Sequence, residues 1–125
     1  MSQVVPRQAV ADLCCSPVLQ AELNADEAQQ LARALKVLAD PARLRLLSLI
    51  RRADGGRTAT VDLSDRLGLT QPTITHHLGA LYDAGFVCRE RQGRQTWYSV
   101  NTDGVETIRQ LLDPELPAAS DEPGS

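Results

Sequence analysis

The chain has 125 residues, of which 42% are hydrophobic, and this size suits one domain with a modest core. It contains no run of about 18 apolar residues and no signal-peptide pattern at its start, which excludes a membrane span and indicates a soluble cytoplasmic protein. In that compartment the three cysteines are expected to be thiols rather than disulfides.

The net charge of −3 is distributed unevenly along the chain. Residues 41–100 hold nine Lys and Arg against five Asp and Glu, a balance of +4, whereas the rest of the chain carries −7. A locally basic segment is what contact with nucleic-acid phosphates requires. We therefore expect any DNA contact to come from the middle of the chain.

The first part of the chain is predicted to form three helices. Residues 1–16 form a short one that ends before Pro17, because the residue before a proline disfavours helix. A capping box at Asn24 and Glu27 begins the second, and Asp40-Pro41 begins the third, over residues 41–53. The third helix is apolar on more than one face and should be central. The second is expected to bury Leu31, Leu35 and Leu38.

The next segment predicts two helices joined by a tight turn. Thr60 is expected to cap a short helix that Gly68 ends in the left-handed conformation. Thr70 then caps a second helix from about Gln71 to Ala84, which stops at Gly85. The side chains expected to face inward are Leu63, Leu67, Ile74, Leu78, Leu81 and Tyr82.

The opposite face of the second helix is polar and then small. It carries Thr73, Thr75 and His76, followed by Gly79 and Ala80. A face of this kind can lie close against another molecule. Two helices joined in this way form a helix-turn-helix, whose second helix fits a DNA major groove.

After Gly85 the hydrophobic period changes to that of strands. Residues 86–91 and 94–100 are predicted to form a hairpin around a two-residue turn at Gln92-Gly93. A last helix is expected over residues 101–112, and the acidic tail 113–125 is expected to be disordered. The sequence therefore predicts a mainly α fold with a β-hairpin wing, a winged helix-turn-helix. Three arginines lie at or beside the hairpin tip, in reach of phosphates or a minor groove: Arg89, Arg91 and Arg94.

Three segments of the chain resemble the ArsR/SmtB family of metal- and metalloid-responsive bacterial repressors. They are ALKVLADPARLRLL at 34–47, LTQPTITHHL at 69–78 and LYDAGFV at 81–87. The resemblance covers roughly residues 25–112. It implies a winged-helix homodimer on an inverted-repeat operator, with its first and last helices at the dimer interface, and an inducer that lowers DNA affinity. The chain then divides into an N-terminal segment 1–23, a DNA-binding and dimerisation domain 24–112 and the tail 113–125.

The resemblance also implies which side chains of the second helix meet DNA. Gln71, Thr73, Thr75 and His76 match positions where the family's recognition helix contacts base edges and phosphates. His77 is expected to pack or to touch a phosphate rather than to bind a metal. Neighbouring residues in a helix point about 100° apart, so His76 and His77 are poorly placed to chelate one ion together.

Two of the family's sensor sites are missing from this chain. Where the arsenic type carries cysteines before the recognition helix, this chain has Ala59 and Val61. The zinc type uses histidines on its last helix, and residues 101–112 contain none. The adjacent cysteines Cys14 and Cys15 remain, and they resemble those of arsenic-responsive members whose thiols lie near the N-terminus.

Soft thiolates of this kind select soft ions such as arsenite, antimonite or cadmium. Arsenite prefers three sulfurs, and the loop that holds the third cysteine in those relatives, residues 52–57 here, has none. The partner subunit or a small free thiol could supply the third sulfur, or the signal could be methylarsenite, which needs two. Cys88 is a weaker third candidate, and we expect it to be a small buried residue of the wing strand.

Other functions remain as alternatives. A repressor of the same fold could sense cadmium, lead or zinc, or thiol oxidation, although adjacent cysteines form a disulfide only with strain. A thiol enzyme needs a basic environment around its cysteine, and only Arg7 is near Cys14, so we expect no enzyme and no required cofactor. A pure protein-interaction module is disfavoured by the basic segment and the wing arginines.

Overall fold

The computed structural model describes residues 22–114. The predicted first helix, Cys14 and Cys15, and all but the first two residues of the tail lie outside this range. The described elements are, in chain order, α1 (Ala25–Leu38), α2 (Pro41–Arg52), a 3-10 turn (Asp54–Gly56), β1 (Arg57–Ala59), α3 (Thr60–Leu67), α4 (Gln71–Ala84), β2 (Val87–Gln92), β3 (Gln95–Val100) and α5 (Thr102–Leu112). The fold is the expected mainly α arrangement with a β-hairpin wing. None of its helices combines the length and hydropathy needed to cross a membrane.

The predicted starts of α1 and α2 are confirmed. At α1 the Glu27 backbone N–H donates to Asn24 Oδ1 over 2.9 Å, and the Asn24 N–H donates to Glu27 Oε1 over 2.8 Å. At α2 the carboxylate of Asp40 accepts from the N–H groups of Ala42 and Arg43, and Pro41 is the first helical residue. These contacts satisfy amides that have no partner within their own helix.

The Asp40 cap is also coupled to its charged surroundings. Partial burial raises the pKa of its carboxyl, but the N–H groups of Arg43 and Ala42 and the positive charge nearby together lower it below the ordinary value of 3.8. Ionised Asp40 therefore stabilises the folded chain above that ordinary value. The stabilisation is lost as the pH falls through the lower folded-state pKa.

The sheet contains one strand that the sequence pattern did not predict. Its order is β1-β3-β2, and both pairings are antiparallel. β1 is only three residues long and runs directly into α3. The predicted cap at Thr60 is wrong for this reason: the extended chain leaves the sheet at Ala59, so Thr60 is already helical and makes no side-chain capping bond.

The wing turn lies one residue later than predicted. Gln92 pairs with Gln95, so the two-residue turn is Gly93-Arg94 rather than Gln92-Gly93. Gly93 has a φ of 63°, a left-handed conformation that glycine adopts without a Cβ clash, and it therefore takes the first turn position. This shift places Arg94 in the turn itself.

The core lies where α1 to α4 pack against the root of the wing. Leu46, Ile50, Leu63, Ile74, Leu78, Leu81, Phe86 and Val87 are almost completely buried. α2 contributes to this core and packs against α1, α3, α4, β1 and β3, which confirms its central position. The prediction for α1 was partly wrong, because Leu31 is buried whereas Leu38 is half-buried and Leu35 is 36% exposed. Leu38 nevertheless packs against the edge of the core.

Candidate nucleic-acid interface

The turn between α3 and α4 is held by hydrogen bonds on both sides. Gly68 has a φ of 69°, and its N–H donates to the Ser64 carbonyl over 2.9 Å, which ends α3. The Ser64 hydroxyl donates to the Leu69 carbonyl inside the turn. Thr70 Oγ1 then accepts from the Thr73 N–H over 3.4 Å, which begins α4 as predicted. The angle between the two helices is thus set by short-range contacts.

α4 has one buried face and one exposed face. Ile74, Leu78 and Leu81 are completely buried, which confirms the predicted apolar stripe, and Tyr82 is half-buried beside it. The side chains predicted to contact DNA are all exposed and lie within the first two turns: Gln71, Thr73, Thr75 and His76. In helix-turn-helix proteins the N-terminal residues of the second helix meet base edges in the major groove. The structure therefore brings these four residues together on an exposed polar surface at the start of α4, where helix-turn-helix proteins contact DNA.

Gly79 is half-buried and lies one helical turn beyond Thr75, where it adds no bulk to α4. A Cβ at residue 79 meets no atom within 4 Å, and its φ is not in the left-handed region. Gly79 therefore leaves α4 free to approach a flat partner closely. Its conformational cost to the helix is about 0.5–1 kcal/mol relative to alanine.

Gly79→Ala is accordingly expected to raise the free energy of unfolding by about 0.5–1 kcal/mol. Gly68→Ala is the matched control, and we expect it to lower the free energy of unfolding by about 1–2 kcal/mol because residue 68 must stay left-handed. Urea unfolding at one fixed protein concentration measures both. A destabilised Gly79→Ala would show that the helix surface at residue 79 is not open.

The wing places Arg89 and Arg91 on the side of the sheet that faces the helices. Arg89 pairs with buried Tyr98, and Arg91 pairs with Thr96 farther out, where the hairpin extends beyond the core. Arg94 follows in the turn. All three are exposed, and none forms an ion pair with a carboxylate among residues 22–114. Their positive charges are therefore available to an anionic partner.

One of these arginines is fixed relative to α4. The Arg89 guanidinium lies over the ring of Tyr82, 3.9 Å from its centroid. Such a cation–π contact contributes about 0.5–1 kcal/mol at an exposed site. It joins the base of the wing to the end of α4, so that the two surfaces predicted to contact DNA keep one relative position.

The other face of the wing is internally paired. Arg57 lies over the ring of Trp97, 4.7 Å from its centroid, and forms an ion pair with Glu90 over 3.8 Å. Cys88 lies on this face opposite Ser99 and is a free thiol. It is half-buried rather than fully buried as predicted, because a cavity of about 320 Å³ adjoins it there. Within the described range no three His, Cys, Asp or Glu side chains form a group that could hold a metal ion.

His77 makes a contact that the sequence did not reveal. Its Nδ1 accepts from Arg43 Nε over 3.1 Å, and Arg43 also donates from its terminal nitrogen to the Val37 carbonyl over 3.4 Å. Arg43 therefore connects the end of α1 with α4. The sequence pattern missed this contact and the contact of Arg89 with Tyr82, because each joins two different elements and depends on how they pack.

Comparison with known proteins also indicates a DNA-binding protein of the helix-turn-helix class. Residues 38–88 match a model described as a helix-turn-helix domain. The chain is 34% identical over 85 residues to the arsenical resistance operon repressor of Staphylococcus xylosus, covering 68% of this chain and 79% of that protein. It is 36% identical over 96 residues to the transcriptional regulator NmtR of Mycobacterium tuberculosis, covering 77% and 75%.

A solved structure extends the likeness to the fold. The homodimeric winged helix-turn-helix DNA-binding domain of a Mycobacterium bovis protein superposes with a TM-score of 0.57 at 26% identity, covering 73% of this chain and 82% of that one. The sequence likeness extends over most of the length of each relative, and the fold, the exposed second helix and the wing agree with it. The chain belongs to the ArsR/SmtB family of winged helix-turn-helix transcriptional regulators.

Proposed function

We propose that this protein is a metalloid-responsive repressor, which binds operator DNA as a homodimer and is released when trivalent arsenic binds Cys14 and Cys15. The observation that carries the DNA-binding half is the exposed polar face of α4 beside three wing arginines without carboxylate partners in the described range. The sensing half is carried by the adjacent thiols in the sequence.

Each part of the DNA surface has a distinct role in this proposal. Gln71, Thr73, Thr75 and His76 present donors and acceptors to base edges and to the phosphates that border the groove. Arg89, Arg91 and Arg94 supply charge to the flanking backbone or minor groove. The +4 balance of residues 41–100 adds a general attraction that depends on salt concentration.

A second copy of the chain is the partner that the apolar surface favours. Leu35 of α1 and Val105 and Leu112 of α5 are 36%, 43% and 68% exposed. Contact with a second copy would remove these apolar side chains from water. The Mycobacterium bovis domain is described as homodimeric, and the resemblance assigns the interface to the first and last helices. Two recognition helices about one turn of DNA apart then match an inverted repeat.

The inducer is inferred from donor chemistry. Two thiolates per chain suit a soft thiophilic ligand, and methylarsenite needs no more than two. Arsenite or antimonite would take a third sulfur from the partner subunit or from a small thiol. We place arsenic before cadmium, lead or zinc because Cys14 and Cys15 resemble the N-terminal thiols of arsenic-responsive members of the family. Coupling between an inducer site and a DNA-binding surface typically changes the affinity for DNA by about 5- to 150-fold.

The test is release from labelled operator DNA, followed by fluorescence anisotropy. Wild type, the double variant Cys14→Ser/Cys15→Ser and the control Cys88→Ser are titrated with arsenite, methylarsenite, cadmium and zinc. We expect arsenicals to weaken binding by wild type and by the control about 5- to 150-fold, with no effect on the double variant.

Other outcomes contradict specific parts of the proposal. Release of the double variant by arsenicals would place the sensor elsewhere. Greater potency of cadmium or zinc, or release by peroxide without any response to arsenite, would favour the metal or thiol-oxidation alternative. Failure of wild type to bind operator DNA at all would contradict the repressor function itself.

A further inference from the structure

The contact between Arg43 and His77 links the α1–α2 corner to the recognition helix. The corner consists of Val37, Asp40 and Arg43, and Arg43 is bonded to each of its other members: its terminal nitrogen donates to the Val37 carbonyl, and its backbone N–H donates to Asp40. Its Nε then donates to His77 Nδ1 over 3.1 Å.

This hydrogen bond determines which nitrogen of His77 carries the proton. A guanidinium can only donate, so His77 Nδ1 must accept, and the proton of the neutral ring lies on Nε2. Nε2 has no hydrogen-bond partner in the described part of the chain. The bond to Arg43 thus fixes the orientation of the ring and leaves its Nε2–H group as the one donor.

The position of His77 indicates what that group meets. Its neighbour His76 is exposed on the face predicted to enter the groove, whereas His77 is half-buried and lies about 100° around the helix. Residues at the border between the groove-facing and buried sides of a recognition helix lie closest to the sugar-phosphate strands. A phosphate oxygen accepts from a neutral N–H group without requiring a positive charge.

We propose that His77 donates from Nε2 to a DNA phosphate and that Arg43 is the positioning residue that orients its ring. This inference rests on the proposed DNA contact by α4. His77 then adds affinity at every sequence alike, since phosphate contacts do not discriminate between bases. Through Arg43, the α1–α2 corner is hydrogen-bonded to the residue that contacts the phosphate.

Two replacements of His77 separate its two nitrogens. The side-chain oxygen of His77→Asn keeps an acceptor near Nδ1 and removes the distal donor. His77→Gln keeps an N–H donor near Nε2 and removes the acceptor. We expect His77→Asn to bind operator and unrelated DNA about tenfold more weakly or worse, and His77→Gln about threefold more weakly, because it keeps the donor but loses the bond to Arg43. The slope of affinity against salt should not change, because no cation is lost.

Arg43→Lys tests the positioning role, with Arg45→Lys as the matched control on the exposed side of the same helix. Long-range ¹H–¹⁵N correlation spectra should show one Nε2–H tautomer at His77 in wild type and in the control, and a mixture in Arg43→Lys. DNA affinity should fall in Arg43→Lys alone. Adding Arg43→Lys to His77→Asn should have little further effect, because the two residues act as a unit.

Equal binding by His77→Asn and His77→Gln would overturn the donor role of His77. An unchanged tautomer and affinity in Arg43→Lys would overturn the role of Arg43. Both outcomes require that wild type binds DNA, so they are distinguishable from failure of the repressor function, in which wild type itself shows no binding.

Discussion

Replacing Arg89, Arg91 and Arg94 together by glutamine is expected to weaken operator binding by about a thousandfold and to flatten its salt dependence. A homodimer carries six of these side chains, and each one in contact with a phosphate releases counterions. The slope of log affinity against log salt should therefore decrease in magnitude by up to about five units. Arg91 and Arg94 should contribute most to this change, because Arg89 also contacts Tyr82.

The measurement is fluorescence anisotropy with operator DNA between about 50 and 200 mM salt, the range in which phosphate contacts are most visible. The control removes the same number of charges from exposed positions on α1 and α2, by changing Arg33, Arg45 and Arg51 to glutamine. It reports the effect of net charge alone. If the wing variant and the control lose affinity equally, the wing makes no direct contact with DNA.

Phe86→Ala is expected to lower the free energy of unfolding by about 3–5 kcal/mol, a large part of the 5–15 kcal/mol typical of a domain. Phe86 is completely buried at the junction of α4 and the wing. Its N–H donates to the Leu81 carbonyl and its carbonyl accepts from the Asn101 N–H, both over 2.9 Å. Alanine keeps these backbone bonds, so the loss comes from the cavity and the apolar surface no longer buried.

Urea unfolding compares wild type, Phe86→Ala and the control Phe86→Leu, which fills most of the cavity and should cost less than about 1.5 kcal/mol. Protein concentration must be held constant because dimerisation adds to the apparent stability. A loss below about 1 kcal/mol in Phe86→Ala would show that the core relaxes around residue 86. The side chain of Phe86 would then contribute little to the packing of the wing against α4.

The local signals in the sequence predicted most of the helix boundaries. Asn24, Asp40 and Thr70 cap helices, and Gly68 and Gly85 end them in the left-handed conformation, as expected. Caps and left-handed glycines act within three or four residues, so their effect can be predicted from neighbours alone. The same local patterns predicted an exposed face with Thr73, Thr75 and His76, whereas Gln71 was assigned to it from the family resemblance.

The predictions were wrong where contacts between distant parts of the chain determine the local structure or the burial of a side chain. Thr60 does not cap α3, because pairing of Arg57–Ala59 with β3, about forty residues away, extends the chain up to Ala59. Such a short strand has too few residues to show a period and exists only because β3 offers an edge. Leu35 remains exposed although its spacing predicted burial, since periodicity identifies an apolar face but not what covers it.

The sequence by itself determined the order of helices α1 to α5, the helix-turn-helix and the hairpin, because each of these depends on contacts between residues close in the chain. It also identified the family, through the resemblance of three segments. It also identified the thiols of Cys14 and Cys15 as the candidate sensor, which stays a prediction. Only the tertiary structure decided that Arg89 lies over Tyr82 and that Arg43 donates to His77. The second pair is separated by 34 residues, and such contacts form only after packing has placed the helices.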